Sequence, residues 1–280
     1  MIVPAAPQGV PAVADHYDEL DPVYRSLWGE HVHHGLWTTG RESPAAAVVA
    51  LVDAVGDRLR LAAGEACVDI GCGYGATARR LAATRGVRVT GFTLSAEQAR
   101  IAAEQPASGV EIRLGDWLEN DVPDAAADAA LAIESSEHMA DKPGFFAQAH
   151  RVLRPGGRMV VCAWIAETGA QRWKVRHLLE PICTEGRLPS MATREEYEAM
   201  ARAAGFEVVA YEDVSRRVSR TWTICTRRFL WSLVVDPDIR RLARVARNRV
   251  FALSLPRLML AYRSGAMRYG ILTLVKPARP

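Results

Sequence analysis

The run Val68-Asp69-Ile70-Gly71-Cys72-Gly73-Tyr74-Gly75, leading straight into a helical stretch over 76–84, limits this chain more than any other feature. A short apolar strand that ends on alternating glycines and restarts as a helix makes a turn few other residues can make. It needs positive φ or close approach of bare backbone to a ligand. The helix start then aims its free N–H groups and positive dipole end at whatever sits above the turn. The spacing is G-x-G-x-G, one residue shorter in its last gap than the dinucleotide fingerprint. Asp69 stands before the first glycine, where it would repel a pyrophosphate. The turn therefore favours an uncharged or cationic nucleotide-like ligand.

Around this junction, strand-like and helical runs alternate. Strands are expected over 67–70, 87–92, 111–114, 128–133, 158–164, 206–211 and 269–276. Helices are expected over 76–84, 96–105, 142–153 and 194–204. Such alternation implies a parallel sheet with helices on both faces. Arg154-Pro155-Gly156-Gly157 ends one helix and feeds the next strand. Before the core, residues 4–13 read as a loose Pro/Ala arm. Residues 15–28 read as a helix through Tyr17, Leu20, Tyr24, Leu27 and Trp28, and Ser43-Pro44 supplies an N-cap and N1 proline for a helix to about Leu61. The division expected is 1–62 arm and helical cap, 63–214 ligand-binding core, 215–268 helical insert, and 269–280 final strand.

Several further segments are specific. Gly91-Phe92-Thr93-Leu94-Ser95 with Gln98 follows the second strand, and Gly115-Asp116-Trp117 follows the third. Ile133-Glu134-Ser135-Ser136-Glu137-His138-Met139-Ala140-Asp141-Lys142 follows the fourth. Asp15-His16-Tyr17-Asp18 and Trp28-Gly29-Glu30-His31-Val32-His33-His34-Gly35 precede the core, and 263–276 closes it. Together these resemble the class I S-adenosylmethionine (SAM)-dependent methyltransferases, and within them the γ-tocopherol methyltransferase-like branch.

The resemblance implies a Rossmann-like seven-stranded sheet with its last strand antiparallel, an N-terminal helical cap and a helical insert before that strand. It implies SAM held by Asp69, Gly71, Gly73, Gly75, Thr93, Leu94, Gln98, Asp116, Trp117, Glu134 and Ser135, with Asp116 on the adenine amino group and Trp117 beside the ring. Tyr17 is its implied cap over SAM.

Methyl transfer from a sulfonium is an in-line displacement, so alignment of acceptor and methyl is the main task. Positioning of this kind supplies roughly 7–11 kcal/mol. A base is needed only where the acceptor must lose a proton. Glu137 and His138, after the fourth strand at the ligand-binding edge of such sheets, are the acid–base candidates. His34 is expected to line the acceptor pocket. His31, His33 and His34 lack a carboxylate or cysteine at ligand spacing, so no metal is expected.

Charge is uneven. From Tyr211 onward there are 15 Lys/Arg against 4 Asp/Glu, whereas the rest has 20 basic and 28 acidic residues. Trp222, Phe229, Leu230, Trp231 and Leu233 interleave with those arginines in one amphipathic helix, and 251–260 form a second apolar one. An apolar wall over the open sheet edge suits a lipophilic acceptor. The basic residues face solvent, an acidic partner or a membrane surface. No nucleic-acid motif accompanies them. No run approaches the about 20 apolar residues of a membrane span. Five cysteines without C-x-x-C spacing and the absence of a signal-like N-terminus point to a reducing cytoplasm, and homo-oligomerisation stays open. The function expected is C- or O-methylation of a lipophilic natural-product-type acceptor: a prenylated aromatic, indole alkaloid or terpenoid. The alternative is a SAM-binding cyclase or pericyclase that uses the cofactor structurally or couples methylation to ring closure.

Overall fold

A computed structural model describes residues 1–4, 8–237, 239–241 and 251–278. The part of the basic insert at 242–250 lies outside the described residues.

Seven strands form one sheet: β1 Ala66–Ile70, β2 Arg88–Thr93, β3 Val110–Leu114, β4 Ala127–Ile133, β5 Leu153–Ala166, β6 Glu207–Asp213 and β7 Met267–Val275. Their order is β3-β2-β1-β4-β5-β7-β6. The first five are parallel, and β7 inserts antiparallel between β5 and β6. Chain direction across the sheet reverses at β1, between β2 and β4, so the crevice above their carboxyl ends is where ligands bind in such sheets.

Helices cover both faces because each helix carries one apolar stripe. On one face, Phe145, Phe146, Ala149 and Val152 of α5 (Lys142–Val152) pack with Tyr197 and Ala201 of α8 (Arg194–Ala203). On the other, Leu51, Val52 and Val55 of α2 (Pro44–Leu59) pack with Ala78 and Leu81 of α3 (Ala76–Arg85). Ser43 caps α2 through a bond from Ala46 N, as expected from Ser43-Pro44.

Two sequence expectations are corrected, and one stretch to which no element was assigned is helical. The first helix, α1, spans Val10–Leu27 and takes in residues assigned to a loose arm. Pro11 sits in its first turn, where the missing N–H has no intrahelical partner to lose. Strand β5 begins at Leu153 rather than 158. Leu153 pairs with Ala127 and Arg158 with Ala129, so the Pro-Gly-Gly turn is a bulge inside the strand. Finally, the stretch after β5 is helical: α6 Arg172–Lys174, a π-helical turn Val175–Leu179, and α7 Glu180–Glu185. The π-turn breaks the 3.6-residue period that would have revealed it.

The insert contributes α9 (Ser215–Val218), α10 (Arg220–Val235) and α11 (Phe251–Ser264). Trp222 and Cys225 of α10 join Leu255, Leu258 and Ala261 of α11, and Leu178, Leu179 and Ile182, in a third apolar cluster. This cluster roofs the carboxyl end of β5. No helix among the described residues is long and apolar enough to cross a membrane.

Candidate active site

Two clefts meet above the carboxyl ends of the central strands. The first spans about 630 Å³, its open mouth included, and is built from the loops after β1, β2, β3 and β4, with α1 over it. Gly71 and Gly73 floor it, both at positive φ (+79° and +56°). A Cβ on Gly71 would lie 2.3 Å from Ser135 Cβ, and the Ser135 hydroxyl donates to the Ile70 carbonyl. Only glycine lets these two loops close on one another. Thr93, Leu94 and Gln98 form one side, and Thr93 Oγ1 donates to Gln98 Oε1 at 2.8 Å. Ser95 caps α4 (Ala96–Ala103) and donates to Asp18 of α1, while Tyr74 Oη donates to Asp21 at 2.5 Å. These bonds pin the N-terminal helix over the cleft. Trp117, Phe92, Val13, Ile133 and Met139 make the apolar remainder.

The second cleft spans about 510 Å³, its open mouth included, and is walled by Tyr24, Trp28, Trp164, Leu188 and Trp222, with Glu137 in its lining. Four residues line both clefts: Tyr17, Val32, Glu134 and His138. Tyr17 Oη and His138 Nε2 are 2.9 Å apart.

Electrostatics separate the acids. Burial alone would raise Glu134, but His34 outweighs it and holds the carboxyl down at about 2. Glu134 accepts from His34 N (2.7 Å), His34 Nδ1 (2.9 Å), Tyr269 Oη (2.8 Å) and Trp164 Nε1 (3.2 Å). This fully bonded carboxylate also offsets the strain of its own backbone, a non-glycine at φ +55°. Glu137 behaves oppositely. Burial pushes it up to about 7, with the Glu134 charge adding to the rise and the bond from Trp164 N (2.6 Å) opposing it. Burial lowers His138 to about 4, so it is neutral at pH 7. Burial likewise raises Tyr17 far above the usual phenol range. Lys142, buried beneath, donates to the carbonyls of Glu137 (3.1 Å) and Met139 (3.1 Å) and to Ser190 Oγ (2.9 Å). It holds the short 3-10 turn Ser136–His138 in place.

Ten of the sequence candidates line the first cleft: Tyr17, Gly71, Gly73, Thr93, Leu94, Gln98, Trp117, Glu134, Ser135 and His138. Five do not. Glu137 lines only the second cleft. His34 lines neither. Its Nδ1 is bonded to Glu134 and its Nε2 lies 3.2 Å from Tyr262 Oη, so both ring nitrogens meet side chains of the protein. Gly75 is the left-handed N-cap of α3 and faces Ile112. Asp116 caps the 3-10 turn Trp117–Glu119, accepting from Leu118 N. Asp69 lies buried behind the turn, its Oδ2 without a partner among the described residues, and burial raises it to about 7. Sequence reasoning gave no role to Val13 and Trp164, isolated apolar positions that carry no motif. Val32 and Met139 stand inside the cap and fourth-strand segments, and Trp222 is one of the residues expected to wall the open sheet edge.

The first cleft suits SAM. An added Cβ on Gly73 would meet nothing nearer than Gln98 Nε2 at 4.0 Å, so its backbone is bare toward the cleft. Thr93 and Gln98 offer a buried polar pair for sugar hydroxyls, and Phe92 and Trp117 an aromatic slot. When bound, SAM supplies a methyl group on a positively charged sulfur. This sheet order, with a glycine turn at its switch point and an adjoining apolar cleft, defines a class I SAM-dependent methyltransferase.

Comparison with known proteins narrows the class. The chain belongs to the mycolic acid cyclopropane synthetase family, whose profile matches residues 6–251. It is 34% identical to the 27-O-demethylrifamycin SV methyltransferase of Amycolatopsis mediterranei, over 76% of this chain and 80% of that one. It is 28% identical to the chloroplastic tocopherol O-methyltransferase of Arabidopsis thaliana, over 95% and 82%. Among solved structures it is similar to the [4+2]-cyclase SpnF (TM-score 0.79, 30% identity, 98% of both chains). It also shares its fold with a mycolic acid cyclopropane synthase complexed with S-adenosylhomocysteine (SAH) and CTAB (TM-score 0.85, 21% identity, 97% and 99%).

Proposed function

We propose that the protein transfers the methyl of SAM to a hydroxyl oxygen, phenolic or alcoholic, on a lipophilic small molecule, with Glu137 as general base. The observation that carries this reading is the wall shared by the two clefts. A methyl presented from the first cleft and an acceptor held in the second would meet at Tyr17, Val32, Glu134 and His138. Three tryptophans and a leucine around the second cleft favour an apolar acceptor body. Glu137 is the acid in that cleft whose ionisation falls near neutral pH, as an effective base requires. Neutral His138 and Tyr17 would orient the acceptor oxygen. Ionised Glu134 would face the positive charge of the sulfonium. The relatives named for tocopherol and a rifamycin derivative support lipophilic, oxygen-bearing acceptors.

Methyl-labelled SAM incubated with a panel of lipophilic phenols and macrocyclic alcohols tests the reading. Label in an ether product is expected. Label on carbon would move the acceptor atom but keep the site. A second reading, a cyclase that keeps SAM intact, is favoured by the likeness to SpnF. Ring closure of an acceptor with no SAM consumed would select it.

A further inference from the structure

Helix α10 is apolar on two opposite sides. Trp222, Cys225 and Phe229, at steps of three and four, pack inward, and Trp222 walls the second cleft. Thr223, Arg227, Leu230, Trp231 and Val234 repeat the same steps on the outer side and are exposed. This outer stripe changes character along the helix. Its first half is hydroxylic and basic, whereas Leu230, Trp231, Val234 and Val235 of the last turns are 57, 67, 70 and 53% exposed. Single apolar side chains on a surface need no explanation, but four within six residues form a patch of the kind that marks an interaction site.

The charge beside the patch has no internal partner. Thr223 lines an open recess between α9, α10 and α11, together with Arg216, Ser219, Arg263 and Ser264. Arg257 and Arg268 of the same region are held by Glu185 and Asp213. Arg216, Arg227 and Arg263 are exposed and have no carboxylate against them among the described residues. Asp236, which ends α10, accepts from Ile239 N. The sequence then adds five arginines and no acid over 239–249.

An indole and aliphatic side chains next to unpaired arginines are what an anionic lipid interface takes up. Tryptophan settles at the headgroup level, aliphatic groups enter the acyl boundary, and guanidinium groups bond phosphate oxygens. A second copy of the chain fits this face less well, because a two-fold contact through it would set arginine against arginine. An acidic soluble protein would answer the arginines but would need a groove shaped for the apolar stripe. Hydrocarbon needs no complementary shape.

We propose that the outer face of α10, with the recess beside it, docks the protein on an anionic lipid surface. Leu230, Trp231, Val234 and Val235 enter the acyl boundary while Arg216, Arg227 and Arg263 meet lipid phosphates. The same helix walls the second cleft with Trp222, so docking brings that cleft close to the phase in which a lipophilic acceptor dissolves. The docking itself does not depend on the methyl-transfer reading.

The full chain, saturated with SAH, is floated with vesicles of phosphatidylcholine alone and of phosphatidylcholine containing phosphatidylglycerol. Binding to the anionic vesicles is expected to be about tenfold or more tighter at about 0.1 M salt, and to weaken steeply at about 0.5 M as screening shortens. Arg227→Gln combined with Arg263→Gln should weaken it about 30-fold. Leu230→Ser combined with Trp231→Ser should weaken it about tenfold or more. Trp231→Phe should keep binding but lose most of the blue shift in tryptophan emission that vesicles cause. All these positions are exposed, and unchanged SAH affinity reports that each variant is folded. A dimer in sedimentation velocity that the double serine variant dissociates, without vesicle binding, would assign the face to a second copy and overturn the proposal. Binding to soluble polyglutamate but not to vesicles would assign it to an acidic protein and overturn it equally. So would the absence of binding to anionic vesicles, or vesicle binding that the double serine variant leaves unchanged.

Discussion

The two clefts of the active site are built in different ways. The first takes its floor and sides from loops that follow consecutive strands β1 to β4, each within a few residues of a strand end. The second gathers Tyr17 and Trp28 from the cap, Glu137 from a turn, Trp164 from β5, Leu188 from a loop and Trp222 from the insert. One is a local product of the sheet edge. The other exists only after distant segments have packed. The difference teaches that ligand class is written in short motifs, whereas acceptor choice is written in tertiary contacts.

Substitutions can be aimed at one cleft and read at the other. The largest effect is expected from Glu137→Gln. It removes the base and keeps the shape, so kcat should fall about 10²–10⁴-fold. SAM affinity, measured by calorimetry, should stay within about twofold, since Glu137 does not line the first cleft. Loss of SAM binding in that variant would break the division between the clefts.

Trp222→Ala comes next. Trp222 is buried and its ring meets those of Trp28, Trp164 and His34. Its loss should lower unfolding stability by about 3–5 kcal/mol in denaturant titrations and raise acceptor KM, with SAM affinity preserved. Gly73→Ala is aimed at the other cleft. The left-handed backbone costs about 1–2 kcal/mol with a Cβ, and the methyl projects toward Gln98 across the cleft. SAM affinity should fall about tenfold or more, while a fold that tolerates the Cβ keeps its circular dichroism. The smallest effect is expected from Asp116→Ala. Removing this cap should cost about 1 kcal/mol of stability and change SAM affinity by less than about threefold. A large loss of affinity would return Asp116 to the ligand, as the family resemblance implies.

The same contrast explains what was legible in the sequence. The glycine turn, Thr93, Gln98 and the Glu134–His138 run were readable because a strand end and the next helix start are fixed by neighbours in the chain. His34, expected to line the acceptor pocket, is instead placed against Glu134 and Tyr262. Nothing at 28–35 reveals that Glu134, a hundred residues away, accepts a hydrogen bond from its Nδ1. Gly75 and Asp116 sit inside the right motifs, yet serve a helix cap and a turn. The opposed ionisation of Glu134 and Glu137 was not readable either. The two differ by four donors converging on one carboxylate, and only the folded chain assembles them. Helices α6 and α7 escaped because a π-turn interrupts their period.

The most direct test of the account is the pH dependence of labelled-methyl transfer as kcat/KM, at limiting acceptor, in the wild type and Glu137→Gln. A base must be ionised to work. The wild-type rate should therefore rise with pH up to about 7, dropping about tenfold per unit on the acid side well below that value. The variant should be slow and lack this inflection. A wild-type profile flat from pH 5 to 8, or a Glu137→Gln profile that keeps both rate and inflection, would contradict the assignment of the base and of the cleft in which it lies.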